Sequence, residues 1–590
     1  MSFINIYYNT KSNKIHLWEE IKGEKFYDEI PWVPYCFVYN KKGDVKTIYG
    51  ERASRKDFNS YKEYQDFCKN SHNGVYENKV VPVIQFLAER YYKLKTEEME
   101  PPKLKIYSLD IEIYSSGEFP NVEESKHMIT AISITELNTG KVESFGINQL
   151  TTKLNYNYNY YNCKTEKNLL KTFLNWWSNN IPDVITGWNI NADYKVNLIG
   201  GFDLPYIINR CKVLFGENTN IYKNLSPLKI VNIFKKESTG NFIVDIAGVS
   251  IIDYMALYKW YTANNLESYT LETVCRYELN KGKVEYENDL GWLYENDWNK
   301  YVEYNIEDTY LIKELEEKLG YLKLAQSLSL LCKCPLKMYN STTNLVEGLM
   351  LTRFRRNGKC APYFKGGDQN TFPAAYVKQP KEGKYNWLFS LDIASSYPHA
   401  IVSLNMSMET LYGKILNISE DEIMKYMEKE EFPEIKIDKN GKVIELKDEK
   451  LKTFNKAIQK KIFSVAPNGV LFYNKPKGVY ATMEREIYLK RKELKKKMFQ
   501  KKQEYEKNSD IKIKYKAENL NVSQLAYKII VNGAYGILAT PYSRYFSPYI
   551  AEAVTAVGRQ SLKYGEKYIE EIMNNPNDGL NNILKEIQNV

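Results

Sequence analysis

Residues 389–404 read Phe-Ser-Leu-Asp-Ile-Ala-Ser-Ser-Tyr-Pro-His-Ala-Ile-Val-Ser-Leu. An apolar run at 387–391 ends at Asp392, and a polar turn then leads into a second apolar run, so this pattern predicts a buried strand, a tight turn and the start of a helix. A carboxylate just beyond a strand is well placed to bind a divalent cation, because such ions prefer oxygen ligands. On this stretch alone, a turn or cap residue is the favoured interpretation of Asp392, so a metal-binding role depends on the rest of the chain.

The composition indicates a multidomain protein with a modest excess of positive charge. At 590 residues the chain is long enough for several domains, each with its own core. The net charge of +9, from 82 Lys plus Arg against 73 Asp plus Glu, fits a polyanionic partner without requiring one. No apolar run reaches membrane-spanning length, and the first residues lack the pattern of a secretion signal.

Cysteine and histidine are poorly placed for chemistry. The eight cysteines are scattered, and the close pair Cys332 and Cys334 has no second pair at zinc-ribbon spacing. We therefore expect reduced thiols in core or loop positions. The chain has four histidines, which favours catalysis by carboxylates over catalysis by imidazole.

The first 103 residues predict a mixed α/β accessory domain without catalytic residues. Strand-like runs such as 3–8 and 35–39 alternate with Gly and Lys turns, and a helical pattern covers about 61–94. Pro101 and Pro102 then indicate a boundary, because proline fixes the backbone and restricts the residue before it.

A pair of carboxylates follows in residues 104–113, Leu-Lys-Ile-Tyr-Ser-Leu-Asp-Ile-Glu-Ile. Side chains at i and i+2 of a strand share a face, so Asp110 and Glu112 are predicted to project together. Two adjacent carboxylates repel, and a bound cation would relieve that repulsion. A single Asp-x-Glu is also common on surface strands, so it is weak evidence for a metal site when taken alone.

Two later stretches supply further acidic residues. Gly201-Phe-Asp-Leu-Pro-Tyr206 predicts a helix start that carries Asp203, and Tyr304 and Asp308 lie four apart on a second predicted helix. The four carboxylates Asp110, Glu112, Asp203 and Asp308 make up the set that a two-metal phosphodiesterase needs. A phenol such as Tyr304 would be placed to orient a water molecule there.

These motifs, in this order, resemble those of a known family. Asp-x-Glu, then Gly-Trp-Asn with Phe-Asp-x-Pro-Tyr-Ile, then Tyr-x-x-x-Asp resemble the three exonuclease motifs of family B DNA polymerases. The stretch around Asp392 is similar to their first polymerase motif, Asp-x-x-Ser-Leu-Tyr-Pro-Ser. Residues 528–536, Lys-Ile-Ile-Val-Asn-Gly-Ala-Tyr-Gly, resemble their motif Lys-x-x-x-Asn-Ser-x-Tyr-Gly. The T-even bacteriophage replicative type is the most similar, from about residue 100 onward.

The resemblance implies a fold and a domain order. The fold class is α/β multidomain, with an N-terminal α+β domain, an RNase H-like 3′-5′ exonuclease domain, and a partial palm with helical fingers. The implied segments are an accessory domain (1–103), the exonuclease domain (104–320), a linker (321–376), the first part of the palm (377–484), the fingers (485–536) and the continued palm (537–590).

The resemblance also implies a mechanism that uses two Mg²⁺ ions, or Mn²⁺, at each site. Asp392 would be a catalytic metal ligand for nucleotidyl transfer, and Asp110, Glu112, Asp203 and Asp308 would be the ligands for proofreading hydrolysis, with Tyr304 beside them. Nucleotide binding is implied for Tyr397 under the sugar, for Arg491, Lys528 and Asn532 at the triphosphate, and for Tyr535 and Gly536 at the nascent base pair.

The implied partners are primer-template DNA, deoxynucleoside triphosphates and, through a second polypeptide, a sliding clamp. DNA would be bound mainly through its backbone and therefore in a salt-sensitive way. No membrane partner is expected. The implied location is the cytoplasm of an infected bacterial host.

The chain departs from the family pattern in three ways. Extra residues before Asp203 leave Asp193 as a rival ligand, although Leu-Pro-Tyr-Ile after Asp203 favours Asp203. Ser396, His399 and Gly533 replace the usual Leu, Ser and Ser. The last polymerase motif, with its Asp-x-Asp, does not occur before Val590.

The third departure leads to a hypothesis about the whole enzyme. It predicts the amino-terminal part of a split polymerase that a second chain completes with the remaining palm and thumb. A longer chain of which this is one part, a free-standing exonuclease and a non-catalytic DNA-binding scaffold are the alternatives.

Two charged regions have simpler interpretations. Residues 417–454 are rich in Lys and Glu and predict a solvated surface insertion without chemistry. Residues 484–507 predict a basic helix, most of whose lysines would face solvent.

Overall fold

The computed structural model describes residues 1–70, 74–115, 118, 120–192, 200–237, 239–262, 264–284, 289–364, 366, 373–379, 382–384, 392–439 and 441–574. The predicted strand at 387–391 and the rival acid Asp193 lie outside these residues. The chain divides into two compact units. One contains Met1–Pro34, Phe58–Tyr64 and Val81–Leu349, and the other contains Tyr35–Asp57, Gln65–Val80 and Met350–Val590. The finer boundaries expected from the sequence remain predictions.

The strands occur in both units. They are β1 (Ser2–Asn9), β2 (Lys14–Ile21), β3 (Glu24–Pro31), β4 (Cys36–Tyr39), β5 (Val45–Thr47), β6 (Arg52–Lys56), β7 (Val75–Tyr76), β8 (Ile106–Tyr114), β9 (Met128–Glu136), β10 (Val142–Gly146), β11 (Tyr158–Asn162), β12 (Val184–Gly187), β13 (Val231–Lys235), β14 (Phe242–Ile246), β15 (Ser250–Asp253), β16 (Lys359–Cys360), β17 (Leu411–Leu416), β18 (Ile435–Lys439), β19 (Lys442–Leu446), β20 (Phe463–Val465) and β21 (Val470–Tyr473).

The α-helices range in length from 7 residues in α7 to 30 residues in α14. They are α1 (Tyr61–Asn70), α2 (Pro82–Tyr91), α3 (Glu166–Asn179), α4 (Asp203–Phe215), α5 (Tyr254–Tyr261), α6 (Leu271–Leu279), α7 (Leu290–Asn296), α8 (Trp298–Leu319), α9 (Tyr321–Cys332), α10 (Thr342–Arg356), α11 (Ser396–Ser403), α12 (Glu420–Lys429), α13 (Asp448–Gln459), α14 (Val479–Asn508), α15 (Ile511–Leu538) and α16 (Pro548–Asn574), with 3₁₀ turns at Thr96–Glu98, Ile221–Leu225 and Leu336–Met338. Among the described residues, no helix combines the length and the apolar character that crossing a bilayer requires.

The N-terminal strands form an antiparallel meander in the order β1-β2-β3, which packs on α2. The predicted strand at 3–8 is therefore confirmed. The predicted helical stretch at 61–94 is instead two helices with β7 between them. Gly74 has a φ of +92°, which a helix cannot accommodate, and Pro82 begins α2 because its missing N–H costs nothing in a first turn.

A six-stranded mixed sheet forms the centre of the first unit, in the order β11-β10-β9-β8-β12-β15. β8 is hydrogen-bonded on both edges, antiparallel to β9 and parallel to β12. Its Leu109 and Ile111 pack into the core with Phe173 and Trp177 of α3. The alternation of a strand then directs the carboxylates of β8 to the opposite face, where α8 packs.

α8 is the long helix that covers this face. It begins where the side chain of Asp297 accepts a hydrogen bond from the backbone N–H of Lys300 at 3.0 Å, and it ends at Gly320, whose φ is +65°. Its apolar residues, including Ile306, Leu311 and Leu315, are buried in neighbouring clusters. This packing fixes the rotation of the helix and hence the direction of its polar side chains.

The second unit contains two five-stranded sheets. In the sheet ordered β16-β5-β6-β4-β7, the strand β4 confirms the strand predicted at 35–39. Glu77 lies beside this sheet and is fully buried, where it accepts two hydrogen bonds from Arg355 and one from the backbone N–H of Ala361 at 2.7 Å. A buried carboxylate satisfied in this way ties the strands to the end of α10.

The charged insertion at 417–454 differs from its prediction. It contributes α12, β18, β19 and α13, and β18 extends the sheet ordered β19-β18-β17-β21-β20. Ile423, Phe432, Ile437 and Phe454 bury their side chains together. The insertion is thus an ordered part of the unit that shares a core with β17, β20 and β21, because apolar residues at strand and helix spacing lie between the charges.

α14 and α15 form a helical hairpin joined by Ser509 and Asp510. The hydroxyl of Tyr480 on α14 donates a 2.6 Å hydrogen bond to the carbonyl oxygen of Ala534 on α15, which ties the two helices together near one end of the hairpin. One turn beyond Tyr480, Glu484 is fully buried and neither of its carboxylate oxygens has a hydrogen-bond partner among the described residues. Burial raises the pKa of Glu484 from 4.5 to about 8.

We expect Glu484→Gln to remove a pH-dependent loss of stability. The pKa of Glu484 is higher in the folded chain than in the unfolded chain. The free energy of unfolding is therefore highest below pH 4.5, where Glu484 is protonated in both states, and it falls as the pH rises to about 8. The loss corresponds to about 1.4 kcal/mol for each pH unit in that window. In calorimetric unfolding, the free energy of unfolding of the variant should increase relative to that of the parent chain as the pH rises from 5 to 8.5. Glu506→Gln, at an exposed position of α14, is the control, and an offset for Glu484→Gln that does not change with pH would contradict the expectation.

All eight cysteines lie within the described residues, are buried, and occur as thiols rather than disulfides. The Sγ atom of Cys334 lies 3.9 Å from the sulfur of Met338. The expectation that the cysteines lie in core positions is therefore confirmed.

Candidate active site

The first site begins with the carboxylates of β8. Asp110 lies opposite Ser133 and Glu112 lies opposite Ala131 on the neighbouring strand β9. These small cross-strand neighbours leave room above the strand, and the flanking Leu109 and Ile111 are anchored in the core. The strand predicted from the sequence at 104–113 is confirmed, with the two acids on one face.

α8 brings a third carboxylate to this pair. One oxygen from each of Asp110, Glu112 and Asp308 lies within 4.8 Å of the others. Asn305, also on α8, donates a 2.7 Å hydrogen bond to Oδ2 of Asp110. The site thus combines a strand and a helix that are distant in sequence, since Asp110 and Asn305 are 195 positions apart.

Asp203 lies beside this group but is not one of the three. It occupies the first turn of α4, and its Oδ1 accepts a 3.0 Å hydrogen bond from the backbone N–H of Ile111, the residue between Asp110 and Glu112. Its side chain is therefore fixed against the same strand. Asp193 lies outside the described residues, so the choice between the two aspartates remains a prediction.

The acids raise each other's pKa in a buried setting. Burial, followed by repulsion from Asp308, raises the pKa of Glu112 to about 8, and burial raises that of Asp203 to about 8. Burial also raises the pKa of Asp308, to about 6, against the opposing charge of Lys283. Asp110 shifts upward through burial and then through Glu112. These shifts mean that the cluster resists full ionisation unless positive charge is added.

A divalent cation fits this donor set. All the donors are carboxylate oxygens, as hard cations prefer, and Oδ1 of Asp308 is buried without a hydrogen-bond partner among the described residues. An unsatisfied buried acceptor beside two other acids is a costly arrangement in the absence of a cation. Within the described part of the chain, this is the one group of acids close enough to hold an ion.

Lys283 is a member of the site that the sequence analysis did not identify. It follows α6, and its Nζ lies 2.5 Å from Oδ2 of Asp308 and 2.8 Å from the hydroxyl of Tyr304. Its own backbone N–H donates a 2.5 Å hydrogen bond to Glu272. Burial lowers the pKa of Lys283, but Asp308 and Tyr304 outweigh burial and raise it, so the lysine is charged at neutral pH.

Tyr304 lies on the face of α8 that carries Asp308, as the spacing of four predicts. Burial and then the charge of Asp308 raise the pKa of its phenol above 10. The phenol therefore stays protonated at neutral pH. It can then donate a hydrogen bond to a substrate or water oxygen while its own oxygen accepts one from Lys283.

The second predicted site is less complete within the described residues. Asp392 is exposed just before α11, and among the described residues it belongs to no group of three or more side chains close enough to hold a cation together. Ser395 has a φ of +55°, which makes the tight turn that the sequence predicts before the helix. His399 packs its ring edge-on against Tyr488 of α14, with centroids 4.7 Å apart.

The structure brings together two predicted nucleotide-binding aromatics. The ring centroids of Tyr397 on α11 and Tyr535 on α15 lie 4.7 Å apart. Gly558 of α16 lies against the ring of Tyr397, since a Cβ added at Gly558 would approach Cε1 of Tyr397 to 3.0 Å. Gly536 has open space around it, as a position close to a ligand would.

The predicted triphosphate-binding residues lie on α14 and α15, and two of the three are positively charged. Lys528 and Asn532 are exposed and one turn apart on α15. Arg491 and Lys528 have no acidic partner among the described residues, and the Nε of Arg491 is buried without a hydrogen bond. In contrast, Lys490, Lys497 and Lys501 on α14 are paired with nearby glutamates.

Comparison with known proteins identifies the family. A family model described as the exonuclease domain of DNA polymerase family B matches residues 74–274, and one described as DNA polymerase family B matches residues 333–589. Lys283, Tyr304 and Asp308 lie between the two matched ranges.

Individual relatives agree with these matches. The chain is 25% identical to the DNA-directed DNA polymerase of Escherichia phage RB69, over 92% of this chain and 64% of that protein. It is 25% identical to the enzyme of Enterobacteria phage T4, over 95% of this chain and 66% of that protein. A DNA polymerase of Pyrococcus glycovorans is also 25% identical, over 80% of this chain and 51% of that protein.

The chain spans slightly less than two thirds of the length of the two phage polymerases. One matched range lies in each half of the sequence, and together they confirm the family that the motifs predicted. The chain belongs to DNA polymerase family B and carries sequence of both the exonuclease domain and the polymerase domain of that family.

Proposed function

We propose that this chain removes nucleotides from 3′ ends of DNA at the cluster of Asp110, Glu112 and Asp308, and that it forms the exonuclease-bearing part of a template-directed DNA polymerase. The observation that carries the proposal is the convergence of three acids within 4.8 Å, with Lys283 and Tyr304 at their edge. A site of this composition suits hydrolysis of a phosphodiester, because it combines oxygen ligands, a fixed cation and a phenol donor.

Asp110, Glu112 and Asp308 would hold Mg²⁺, or Mn²⁺, and we propose Asp203 as a further ligand. When bound, such ions lower the pKa of a water molecule and stabilise the departing oxygen. Asn305 holds one oxygen of Asp110, and the backbone N–H of Ile111 holds one oxygen of Asp203. Asp110 and Asp203 are thus oriented by neighbours before any substrate arrives.

Lys283 and Tyr304 have separate roles in this proposal. Tyr304, protonated and fixed by Lys283, donates a hydrogen bond that orients the attacking water or a phosphate oxygen. Lys283 offsets the charge of Asp308 and adds positive charge close to where the phosphate would lie. Lys283 contacts Asp308 directly, and Tyr304 contacts Lys283 and lies close enough to Asp308 and Glu112 to be influenced by their charges.

The polymerase half is proposed to bind primer-template DNA and a deoxynucleoside triphosphate for in-line nucleotidyl transfer. Arg491, Lys528 and Asn532 would bind the triphosphate, and the unpaired charge of the first two supports this assignment. Tyr397 would lie under the sugar, and its packing against Gly558 leaves little freedom for the ring to move away from a 2′-hydroxyl. In this proposal α14 and α15 are the fingers, and the sheet of the first unit is RNase H-like.

Asp392 needs a second carboxylate for this chemistry. We propose that an Asp-x-Asp hairpin outside this sequence supplies it, together with the thumb and the clamp-binding region, either on a second polypeptide or on a longer form of this chain. The alternative is an exonuclease whose palm and fingers only bind DNA. It is favoured by the finding that, among the described residues, the one group of three acids close enough to hold a cation lies in the exonuclease half. Action in the cytoplasm of an infected bacterium is part of the same proposal.

Two assays on the same preparation test these functions. The purified chain, with Mg²⁺ and a 5′-labelled single strand, is expected to shorten the strand from its 3′ end and to release mononucleotides. Primer extension is expected only after a polypeptide bearing the Asp-x-Asp hairpin is added. Extension by this chain alone would refute the need for a second polypeptide, and strand degradation without extension in either condition would favour the alternative.

Lys528→Ala is expected to raise the KM for deoxynucleoside triphosphates in the complemented extension assay. Loss of a charged hydrogen bond to phosphate corresponds to about 10- to 100-fold. Lys516→Ala is a matched control, because Lys516 is exposed on the same helix and lies three turns away. Equal KM values for the two variants would remove Lys528 from the triphosphate site.

A further inference from the structure

A cleft of about 790 Å³ lies beside the carboxylate cluster in the first unit. Four segments line it: the turn between β9 and β10, the loop 153–157 before β11, the loop 281–284 after α6, and the face of α8 that carries Glu303, Glu307 and Tyr310. The volume suits a single small ligand and falls in the range of ordinary ligand pockets.

Lys283 connects this cleft to the hydrolytic site. It lines the cleft, while its Nζ contacts both Asp308 and the hydroxyl of Tyr304. A molecule that leaves the carboxylate cluster on this side would therefore pass directly into the cleft. Lys283 belongs to both places, and the position of its amino group is fixed by two partners.

The charges in the cleft favour an anion at one end. Lys281 is compensated, since it forms ion pairs with Glu307 at 2.7 Å and with Glu314 at 3.2 Å. Lys153 is exposed and has no acidic partner among the described residues. Glu307 is further satisfied by a 2.5 Å hydrogen bond from the hydroxyl of Tyr156. Lys283 is paired with Asp308, so the lining charges without an ion-pair partner among the described residues are those of Lys153 and Glu303, and an anion would bind at Lys153.

The other wall offers contacts for a planar ring. Tyr156 and Tyr310 meet edge to face with centroids 5.5 Å apart, and both are only partly buried. Asn155 and Asn157 are exposed on the same loop, and their side-chain amides can both donate and accept hydrogen bonds. Aromatic faces and amides beside a lysine are the groups that recognise a nucleobase joined to a phosphate.

We propose that this cleft binds a nucleoside 5′-monophosphate, the product that hydrolysis at the carboxylate cluster would release. The inference rests on the proposed exonuclease function: water attacks phosphorus, the bond to the 3′ oxygen breaks, and the phosphate stays on the 5′ carbon of the excised nucleotide. Lys153 binds that phosphate, and the Tyr156 side of the cleft receives the base. Occupancy of the cleft slows further hydrolysis because a held product sits next to Lys283.

The test measures binding without hydrolysis, so it stays informative if the chain proves to have no exonuclease activity. Deoxyadenosine 5′-monophosphate is titrated calorimetrically into the full chain in the presence of EDTA, which removes cations from the carboxylate cluster. Lys153→Glu is expected to weaken binding at least tenfold. Lys167→Glu, an exposed lysine on α3 away from the cleft, is expected to change binding less than twofold.

Three competitors identify which part of the ligand is recognised. Deoxyadenosine and inorganic phosphate are each expected to bind at least tenfold more weakly than the monophosphate. A thymidine tetranucleotide is expected to compete poorly, because the cleft holds one nucleotide. Equal binding by the Lys153→Glu and Lys167→Glu variants, or no binding of the monophosphate to the parent chain, would overturn the proposal. A tetranucleotide that binds more tightly than the monophosphate in a Lys153-dependent way would assign the cleft to the DNA strand instead.

Discussion

Replacing Asp110 and Glu112 together with alanine is expected to reduce hydrolysis of single-stranded DNA on the order of 1000-fold or more. The two residues supply two of the three acids that lie within 4.8 Å of one another, so the variant leaves Asp308 as the one acid of that group. The rate is measured with a 5′-labelled oligonucleotide in excess Mg²⁺, by following the loss of full-length strand.

The same variant should fold normally. Burial and mutual repulsion raise the pKa of both side chains, so their removal relieves an unfavourable arrangement in the absence of a cation. We therefore expect an unfolding temperature close to or above that of the parent chain in EDTA. Glu317→Ala, at an exposed position of α8, controls for the loss of a carboxylate. A double variant that keeps more than a tenth of the parent rate would show that hydrolysis occurs elsewhere.

Replacing Lys283 with methionine is expected to lower kcat for the same reaction about 100-fold. The substitution keeps most of the side-chain volume but removes the charge that pairs with Asp308 and the donor that holds Tyr304. Because Lys283 contacts two residues of the site rather than the distant parts of a strand, KM for the oligonucleotide should change much less than kcat.

Two further variants separate this role from a structural one. Lys283→Arg keeps the charge and should recover part of the lost kcat, although a planar guanidinium cannot reproduce both contacts of an amino group. Lys318→Met removes an exposed lysine from α8 and should leave kcat unchanged. If Lys283→Arg is as slow as Lys283→Met while both unfold at the parent temperature, the charge of Lys283 is not what the reaction uses.

The parts of the site that the sequence predicted are those governed by short spacings. The alternation of a strand places Asp110 and Glu112 on one face, and the turn of a helix places Tyr304 and Asp308 on one face. The order of the motifs then identified the family. These features depend on residues close in sequence, so they can be read without knowing how the chain folds.

Lys283 could not be predicted in the same way. It lies in a loop, in the stretch Asn280-Lys-Gly-Lys-Val284, where no periodicity indicates a direction for the side chain. Its role depends on a contact with α8, which begins 15 positions later. A polar loop lysine is ordinarily a solvated residue, and only the three-dimensional arrangement distinguishes this one from Lys281, which pairs with Glu307.

The insertion at 417–454 was predicted incorrectly from its composition. Its abundance of charge suggested a solvated surface element, yet Ile423, Phe432 and Phe454 form a core. Each of its two helices and two strands contains few apolar residues, so the composition did not indicate a core. The pairing of β18 with β17 and β19 brings these residues together. Total charge is a weak guide where short elements each bury one or two side chains.

The most direct test of a cation site at Asp110, Glu112 and Asp308 is a titration of the chain with Mn²⁺ followed by electron paramagnetic resonance. We expect the parent chain to remove free Mn²⁺ from solution, and the Asp110→Ala, Glu112→Ala variant to lose that binding while keeping its fold. Mn²⁺ binding of equal strength and stoichiometry in the two proteins would contradict the account, because the cluster would then not be where the cation binds.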